Sequence, residues 1–216
     1  MSLETLELVG RKLGMTQIFK EDGESIPVTV LNIGPCVVVQ KKTAATDGYS
    51  AVQLGFEAQK DRHVTKARKG HFEKAGVPAA KVLFEVRLPE AEVESLEVGQ
   101  KLDATNGFDG VTMVDVTGVT KGRGFTGGVK RWGVHLAKAT HGTHEVFRHG
   151  GSNGSGTWPG RVIKGLKMPG HYGTEQVTTV GLSLVKIDAE NHLVYVRGSV
   201  PGPKSGLVRI RRSTRS

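Results

Sequence analysis

The sequence lacks the residues on which several classes of protein depend. Cys36 is the only cysteine, which excludes an internal disulfide and a thiolate zinc site. Within the run IGPCVVVQ it is expected to be a small core residue. The longest aliphatic stretch, VVV at 37–39, is far too short to cross a membrane. The first ten residues have no basic cluster of the kind typical of a signal peptide. We therefore expect a cytoplasmic protein without membrane contact.

Acidic residues are nearly missing from one part of the chain. Between Thr117 and Thr174 there are nine Lys and Arg but a single acid, Glu145, whereas the rest of the chain has 21 basic and 20 acidic residues. The same stretch holds 15 of the 30 glycines, five of the eight histidines and both tryptophans. The sequence therefore predicts a charge-balanced globular body and a glycine-rich basic insert.

The body is predicted to be mainly β. Short apolar runs separated by turn signals recur along it, which favours a barrel or a sandwich over a βαβ sheet. Asp22-Gly23 lies in the turn of a predicted hairpin. The predicted strands are 6–10, 14–19, 25–33, 36–42, 50–57, 111–118, 176–188, 192–198 and 206–212.

One helix is predicted, and it lies in a charged stretch. It begins after Thr65, a suitable N-cap, and ends before Gly76, with Pro78 just beyond. The expected organisation follows the chain: barrel over 1–57, a small α-containing insertion over 58–100, barrel again over 101–124, an extended loop over 125–174, and the last barrel strands with a basic tail over 175–216.

The segment from Gly122 to Gly127 matches the pattern G-x-G-x-x-G. A dinucleotide site would need these glycines to open an apolar helix, and no sustained apolar stripe follows them. Glycines also let a backbone approach phosphates, and the cations nearby would neutralise them. Phe125 and Trp132 either stack on unpaired bases or pack onto the barrel. The pattern favours nucleic acid over a dinucleotide.

Four histidines of the insert, His135, His141, His144 and His149, raise the possibility of a metal site. No cysteine is available and Glu145 is the only nearby carboxylate, so contacts with bases or phosphates are favoured instead. Serines near these histidines lack a G-x-S-x-G elbow and an orienting acid. We expect no catalytic residue, no metal, no cofactor and no small-molecule substrate.

Trp158 lies in the run HGGSNGSGTWPGRV, which offers almost nothing to a protein core. A surface loop meant for water rarely needs a tryptophan, whereas folded RNA supplies bases and riboses that can bury one. Cations follow it at three-residue intervals, at Arg161, Lys164 and Lys167. The residues predict that Trp158 is an anchor inside RNA.

Several spaced motifs resemble the bacterial ribosomal protein L-three family of the large subunit. The signature includes Phe108, Asp115, Gly118, Thr120, Gly122, Arg123, Gly124, Gly127 and Arg131. VGRKLGMTQIF, GHFEKAGV, RVIKGLKMPGHYG and VPGPKSG fit the same family, so the resemblance spans essentially the whole chain.

The resemblance implies a specific fold, partner and role. The fold is a β-barrel similar to the second domain of translation elongation factors, with a long extension. The partner is 23S rRNA near its 3′ end, and the role is to help start subunit assembly. The extension reaches toward the peptidyl-transferase centre, and the neighbouring proteins include L-fourteen and L-nineteen. Some members carry a methylated glutamine where Ser155 stands here.

Composition and resemblance together predict two sets of residues. The set expected to bind rRNA is Lys121, Arg123, Phe125, Lys130, Arg131, Trp132, His135, Lys138, His141, His144, Arg148, His149, Trp158, Arg161, Lys164, Lys167, Arg211 and Arg212. The tip expected near the peptidyl-transferase centre is Gly150, Gly151, Ser152, Asn153, Gly154, Ser155, Gly156, Thr157, Trp158 and Pro159. Residues from about 125 to 172 are expected to be mobile until RNA binds.

Overall fold

Antiparallel strands dominate the structure. The computed structural model describes residues 5–138 and 140–214, which fall into two compact units. The barrel unit consists of the described residues before Thr120 and after Glu175, and the basic unit is Thr120–Glu175. The strands are β1 (Glu7–Phe19), β2 (Ser25–Ile33), β3 (Cys36–Lys42), β4 (Ala51–Ala58), β5 (Ala80–Arg87), β6 (Lys101–Leu102), β7 (Met113–Val119), β8 (Phe125–Thr126), β9 (Gly170–His171), β10 (Gln176–Asp188), β11 (Leu193–Arg197) and β12 (Leu207–Arg212).

In the described part of the chain, five short α-helices connect these strands. They are α1 (Ala44–Asp47), α2 (Lys66–Ala75), α3 (Glu90–Ser95), α4 (Ala104–Phe108) and α5 (Gly128–Trp132). Single 3-10 turns occupy Asp61–His63 and His144–Arg148. Among the residues that the structure describes, no helix combines the length and the apolar character needed to span a bilayer.

Six strands close into a barrel in the order β1-β12-β7-β10-β11-β2, with every neighbouring pair antiparallel. The side chains of a strand alternate between its two faces, and β12 shows the pattern. Val208 and Ile210 point into the buried core, while Arg209 and Arg211 lie on the other face. The predicted mainly β class and closed barrel therefore match the structure.

The first barrel strand is longer than the sequence predicted. The runs 6–10 and 14–19 were expected to be separate strands, but they form the single strand β1. Its pairing with β2 shifts register between Lys12 and Gly14, so an irregularity in the ladder replaces a connection.

A second sheet lies beside the barrel in the same unit, in the order β5-β4-β3-β6. The expectation that 1–57 and 101–124 contribute only barrel strands is wrong for β3, β4 and β6. Alternation in sequence predicts a strand but not its partners. Here the partners are decided by packing, because Val39 of β3 and Ala80 of β5 form a buried cluster with Phe72 of α2.

The predicted helix is confirmed at both ends. α2 begins after Thr65, whose backbone is extended, and ends at Gly76, which adopts φ 66°. A glycine suits this left-handed position because it has no Cβ to clash with the backbone. The helix buries only Phe72, so it covers the second sheet through one large side chain.

Cys36 lies in the core of the barrel unit and is fully buried. Burial is the main cause that raises the pKa of its thiol to about 11. The thiol therefore stays protonated at neutral pH, as expected of a core residue rather than a reactive one.

Candidate nucleic-acid interface

The basic unit begins and ends in a stem formed by residues 120–126 and 170–175. The backbone N–H of Thr120 donates to Glu175 O at 2.9 Å, and that of Arg123 to Tyr172 O at 2.9 Å. The N–H of Tyr172 donates back to Gly124 O at 2.9 Å, and β8 continues the pairing with β9. Two distant parts of the sequence are thus joined by backbone hydrogen bonds.

The close approach of the two segments of the stem explains why one of its residues is a glycine. Gly173 adopts φ 77°, and a Cβ there would collide with the carbonyl oxygen of Lys121 and lie 3.0 Å from the Cα of Gly122. Glycine is required by the protein itself at this point, before any ligand is considered. The stretch after Gly127 is the five-residue α5, which has no buried residue, so the packed helix of a dinucleotide fold does not follow it.

Arg131 and Trp132, on α5, are held by contacts inside the basic unit. The indole Nε1 of Trp132 donates to Met168 O at 2.8 Å, and Arg131 Nη1 donates to the same oxygen at 3.2 Å. The Arg131 guanidinium also lies 4.9 Å from the Trp132 ring centroid. One face of the indole is therefore covered by an arginine.

A groove collects three predicted cations around an aromatic ring. Arg123, Phe125, Lys130 and Arg148 line it together with residues 126–129, and its volume is about 360 Å³. Phe125 is 79% exposed. The Arg123 guanidinium lies 5.4 Å from the Tyr172 ring centroid, which restricts its position. The groove presents positive charge beside an open π-face.

Most other predicted contact residues of the basic unit are exposed, including His135, Lys138, His141, His144, His149, Arg161, Lys164, Lys167 and the tip residues 150–158. Pro159 is partly buried. Within the described residues, no three His, Cys, Asp or Glu side chains are grouped so as to hold a metal ion. The structure does not gather the histidines into one cluster.

The basic unit has no apolar core of its own among its described residues. None of their hydrophobic side chains is buried, whereas Trp158 is 83% exposed and Ile163 67%. Phe147 and Leu166 are both 43% exposed. Covering apolar side chains that are this exposed lowers the free energy, so their burial by a partner is favourable.

The two arginines predicted in the tail differ in their surroundings. Arg211 Nη2 lies 3.3 Å from the buried Asp115 carboxylate, and its Nη1 lies 3.8 Å from Glu7. Part of its charge is therefore balanced inside the protein. Arg212 is half-buried, and its buried Nε has no hydrogen-bond partner among the described residues. Arg215, a further arginine of the predicted tail, lies outside the described residues.

The predicted rRNA-binding set leaves out two cations near the tail. Arg87 and Arg209 line a pocket of about 470 Å³ together with Arg211, Arg212, Glu7, Glu85, Thr5 and Thr214. The alternation in LVRIRR places Arg209 and Arg211 on one face of β12, a signal that was available in the sequence. The position of Arg87, on β5 of the second sheet, was not available there.

Comparison with known proteins identifies the family. The family model described as Ribosomal protein L3 matches residues 87–192, which include the whole basic unit. The large ribosomal subunit protein uL3 of Shewanella sediminis (strain HAW-EB3) is 52% identical over 199 residues, covering 92% of this chain and 93% of that protein. The protein of the same name from Shewanella woodyi (strain ATCC 51908 / MS32) is 51% identical with the same coverage. The relatives are named as ribosomal proteins and not as enzymes. This chain belongs to the ribosomal protein L3 family.

Proposed function

We propose that this protein is a structural constituent of the large ribosomal subunit that binds rRNA directly through its basic unit. One observation carries the proposal: Thr120–Glu175 holds eight exposed cations, the partly buried Arg131 and large exposed apolar side chains, but no protein core among the described residues. Phosphates neutralise clustered cations, and bases bury exposed aromatic rings. Folded RNA supplies both.

The finer parts of the proposal rest on the family resemblance. The RNA is 23S rRNA near its 3′ end, and binding there helps nucleate subunit assembly. The tip, residues 150–159, extends toward the peptidyl-transferase centre. The barrel is similar to the second domain of translation elongation factors, and L-fourteen and L-nineteen are its protein neighbours. The exposure of residues 150–158 supports a tip that contacts RNA.

We propose that residues 125–174 form the extended RNA-binding segment. The two tail arginines, Arg211 and Arg212, form a secondary contact. Arg212 supports this because it lines a pocket together with Arg87 and Arg209. Arg211 contributes less, since Asp115 and Glu7 already lie beside it. The protein acts in the ribosome, without a cofactor or a small-molecule substrate.

Salt dependence of binding tests the main proposal. Replacing Lys121, Arg123, Lys130 and Arg131 with alanine should flatten the plot of log affinity against log salt for large-subunit rRNA. Each lost phosphate contact removes roughly 0.7 to 0.9 from the slope, so the total change is about three. The binding is measured by filter retention or anisotropy over a range of salt concentrations.

A matched variant controls for net charge. Lys60, Lys66, Lys74 and Lys101 are exposed in the barrel unit, and their replacement removes the same charge elsewhere. This variant should keep the wild-type slope. An unchanged slope in the basic-unit variant, together with a flatter one in the control, would move the RNA surface to the barrel unit.

Two other functions predict different behaviour. A regulatory RNA-binding module that is not part of the ribosome would separate from large subunits in a high-salt wash, whereas an integral component co-sediments with them. An enzyme using the loop from Gly122 to Gly127 would bind a mononucleotide stoichiometrically in the absence of RNA. We expect co-sedimentation and no stoichiometric mononucleotide binding.

A further inference from the structure

The two aromatic residues nearest the stem are not equivalent in the structure. Trp132 is tied to Met168 O by its Nε1, and the Arg131 guanidinium covers one of its faces. Phe125 is 79% exposed, and no described residue is seen to cover its ring in this way. A base that stacks in this region can therefore reach an uncovered ring at Phe125, whereas Arg131 already covers one face of the Trp132 ring.

The surroundings of Phe125 carry positive charge from two directions. Arg123 and Lys130 lie close to it in sequence. Arg148, in contrast, is the last residue of the 3-10 turn His144–Arg148. Among the residues that the structure describes, no carboxylate lines the groove that these residues form. A phosphate held there would meet three cations and no acidic side chain.

The groove has the size of a small-ligand site. Its volume of about 360 Å³ is at the lower end of the range usual for pockets that hold small organic molecules. Thr126, which also lines it, is only 7% exposed, and its Oγ1 has no hydrogen-bond partner among the described residues. A site with one open ring and three cations suits a nucleotide unit rather than a purely apolar group.

We propose that this groove takes a single unpaired nucleotide of the bound RNA, with its base stacked on Phe125 and its phosphate held by Arg123, Lys130 and Arg148. A base within a duplex is already stacked on both sides and cannot offer its face to the ring, so the nucleotide must be unpaired. This inference rests on the proposed function, because it assigns a specific contact within that RNA surface. It assigns Trp132 to holding α5 and not to base recognition.

Binding of the full-length protein to deproteinised large-subunit rRNA tests the groove. Phe125→Ala should weaken binding roughly five- to one-hundred-fold, the effect of losing one stacked base. Phe125→Tyr should restore most of the affinity because it keeps a flat ring. The salt slope should be unchanged in both variants, since neither alters the charge.

Controls are available in both units. Phe19 of the barrel unit is 63% exposed and does not line the groove, so Phe19→Ala should keep wild-type affinity within about twofold. Arg148→Ala and Lys138→Ala each remove one exposed cation, but only the first lines the groove. The double variant Phe125→Ala/Arg148→Ala should bind at least about twofold more tightly than additivity of the two losses predicts, because both residues hold one nucleotide. Phe125→Ala/Lys138→Ala should be additive.

Ultraviolet cross-linking identifies the nucleotide directly. The peptide that contains Phe125 should cross-link to one nucleotide that is reactive to base-specific probes in the free RNA and protected by the wild-type protein only. If wild-type protein binds but Phe125→Ala binds equally well, or if the cross-linked base is paired, the groove proposal is wrong and the proposed function stands. If wild-type protein does not bind the rRNA, both are wrong.

Discussion

The barrel unit and the basic unit solve the problem of burial in opposite ways. The barrel unit covers its apolar side chains with its own strands, and Phe108, Leu8 and Ile210 are completely buried. The basic unit has no buried hydrophobic residue within its described part and exposes Trp158 instead. Hydrophobic burial is the main favourable contribution to folding. The first unit therefore contains the source of its own stability, whereas we expect the second to depend on a partner.

Charge follows the same division. The ion pairs between described residues lie in the barrel unit, for example Arg11 with Glu57 and Lys42 with Glu85. The basic unit has nine cations and only Glu145 and Glu175 as acids. Like charges at this density repel one another in water, and RNA phosphates remove the repulsion. What separates the units is whether each supplies its own counter-charge.

Protease sensitivity should give the largest difference between the units. Without RNA, trypsin should cut first among Lys130, Arg131, Lys138, Arg148 and Arg161, orders of magnitude faster than in the barrel unit. Opening of the basic unit costs little, whereas cutting inside the barrel requires opening against much of a global stability of about 5–15 kcal/mol. Mass spectrometry of a digestion time course measures the order of cuts.

Assembled large subunits are the control for that experiment. Trypsin should not cut the same sites there, because RNA would cover them. A basic unit that resists trypsin as well as the barrel does, in the absence of RNA, would contradict this difference in stability, since it would need a core that the described residues do not show.

Truncation of one large side chain in each unit should give the next largest contrast. Phe108→Ala should lower the free energy of unfolding by about 3–5 kcal/mol, the usual cost of removing a buried phenylalanine. Trp158→Ala should leave it nearly unchanged, since the side chain is 83% exposed, and should weaken rRNA binding by about 1–3 kcal/mol. Denaturant unfolding and RNA titration separate the two effects. A loss of several kcal/mol of unfolding free energy in Trp158→Ala would place that residue in a protein core.

Much of the barrel unit was predictable because its signals are local. The helix could be bounded from Thr65 and Gly76, and strands such as 176–188 from alternation between turns. The partners of β3 and β4 were not predictable, because one strand pattern fits either sheet. Packing of Val39 on Phe72 decides between them, and that contact joins residues far apart in sequence.

The candidate site was predictable in composition but not in arrangement. The charge count alone identified the basic unit. Nothing in the sequence placed Arg148 beside Phe125, since the chain returns through a turn whose geometry no local pattern fixes. The hydrogen bonds from Trp132 and Arg131 to Met168 O could not be predicted from the sequence for the same reason.

A substitution in the stem sharpens the boundary between the units. Gly173→Ala should destabilise the stem by about 1–3 kcal/mol, because φ 77° is unfavourable for alanine and its Cβ would meet Lys121 O. The amide hydrogens of Arg123 and Tyr172, which pair across the stem, should then exchange roughly five- to one-hundred-fold faster. Hydrogen exchange followed by NMR measures this.

The matched control for the stem is Gly14→Ala. Gly14 lies in β1, where a Cβ would meet nothing within 4 Å, so the exchange of the stem amides should stay at the wild-type rate. Equal exchange in Gly173→Ala and wild type would show that the stem pairing is not formed without RNA. The boundary of the mobile segment would then lie at Val119.

The smallest expected effect concerns pH and belongs to the barrel unit alone. Hydrogen bonding from Arg11 lowers the pKa of Glu57 below its ordinary value of 4.5, against the opposing effect of burial. Because the folded pKa is the lower one, the pair stabilises the fold above about pH 4.5 and loses that contribution as pH falls through the folded pKa.

Glu57→Gln should remove this part of the acid dependence, worth no more than about 1 kcal/mol for a side chain that is 30% exposed. Urea unfolding at about pH 6 and about pH 3.5 measures it, with the exposed Glu94→Gln as the control that should retain the wild-type dependence. Equal acid dependence in Glu57→Gln and wild type would mean that the barrel unit does not draw stability from this internal counter-charge.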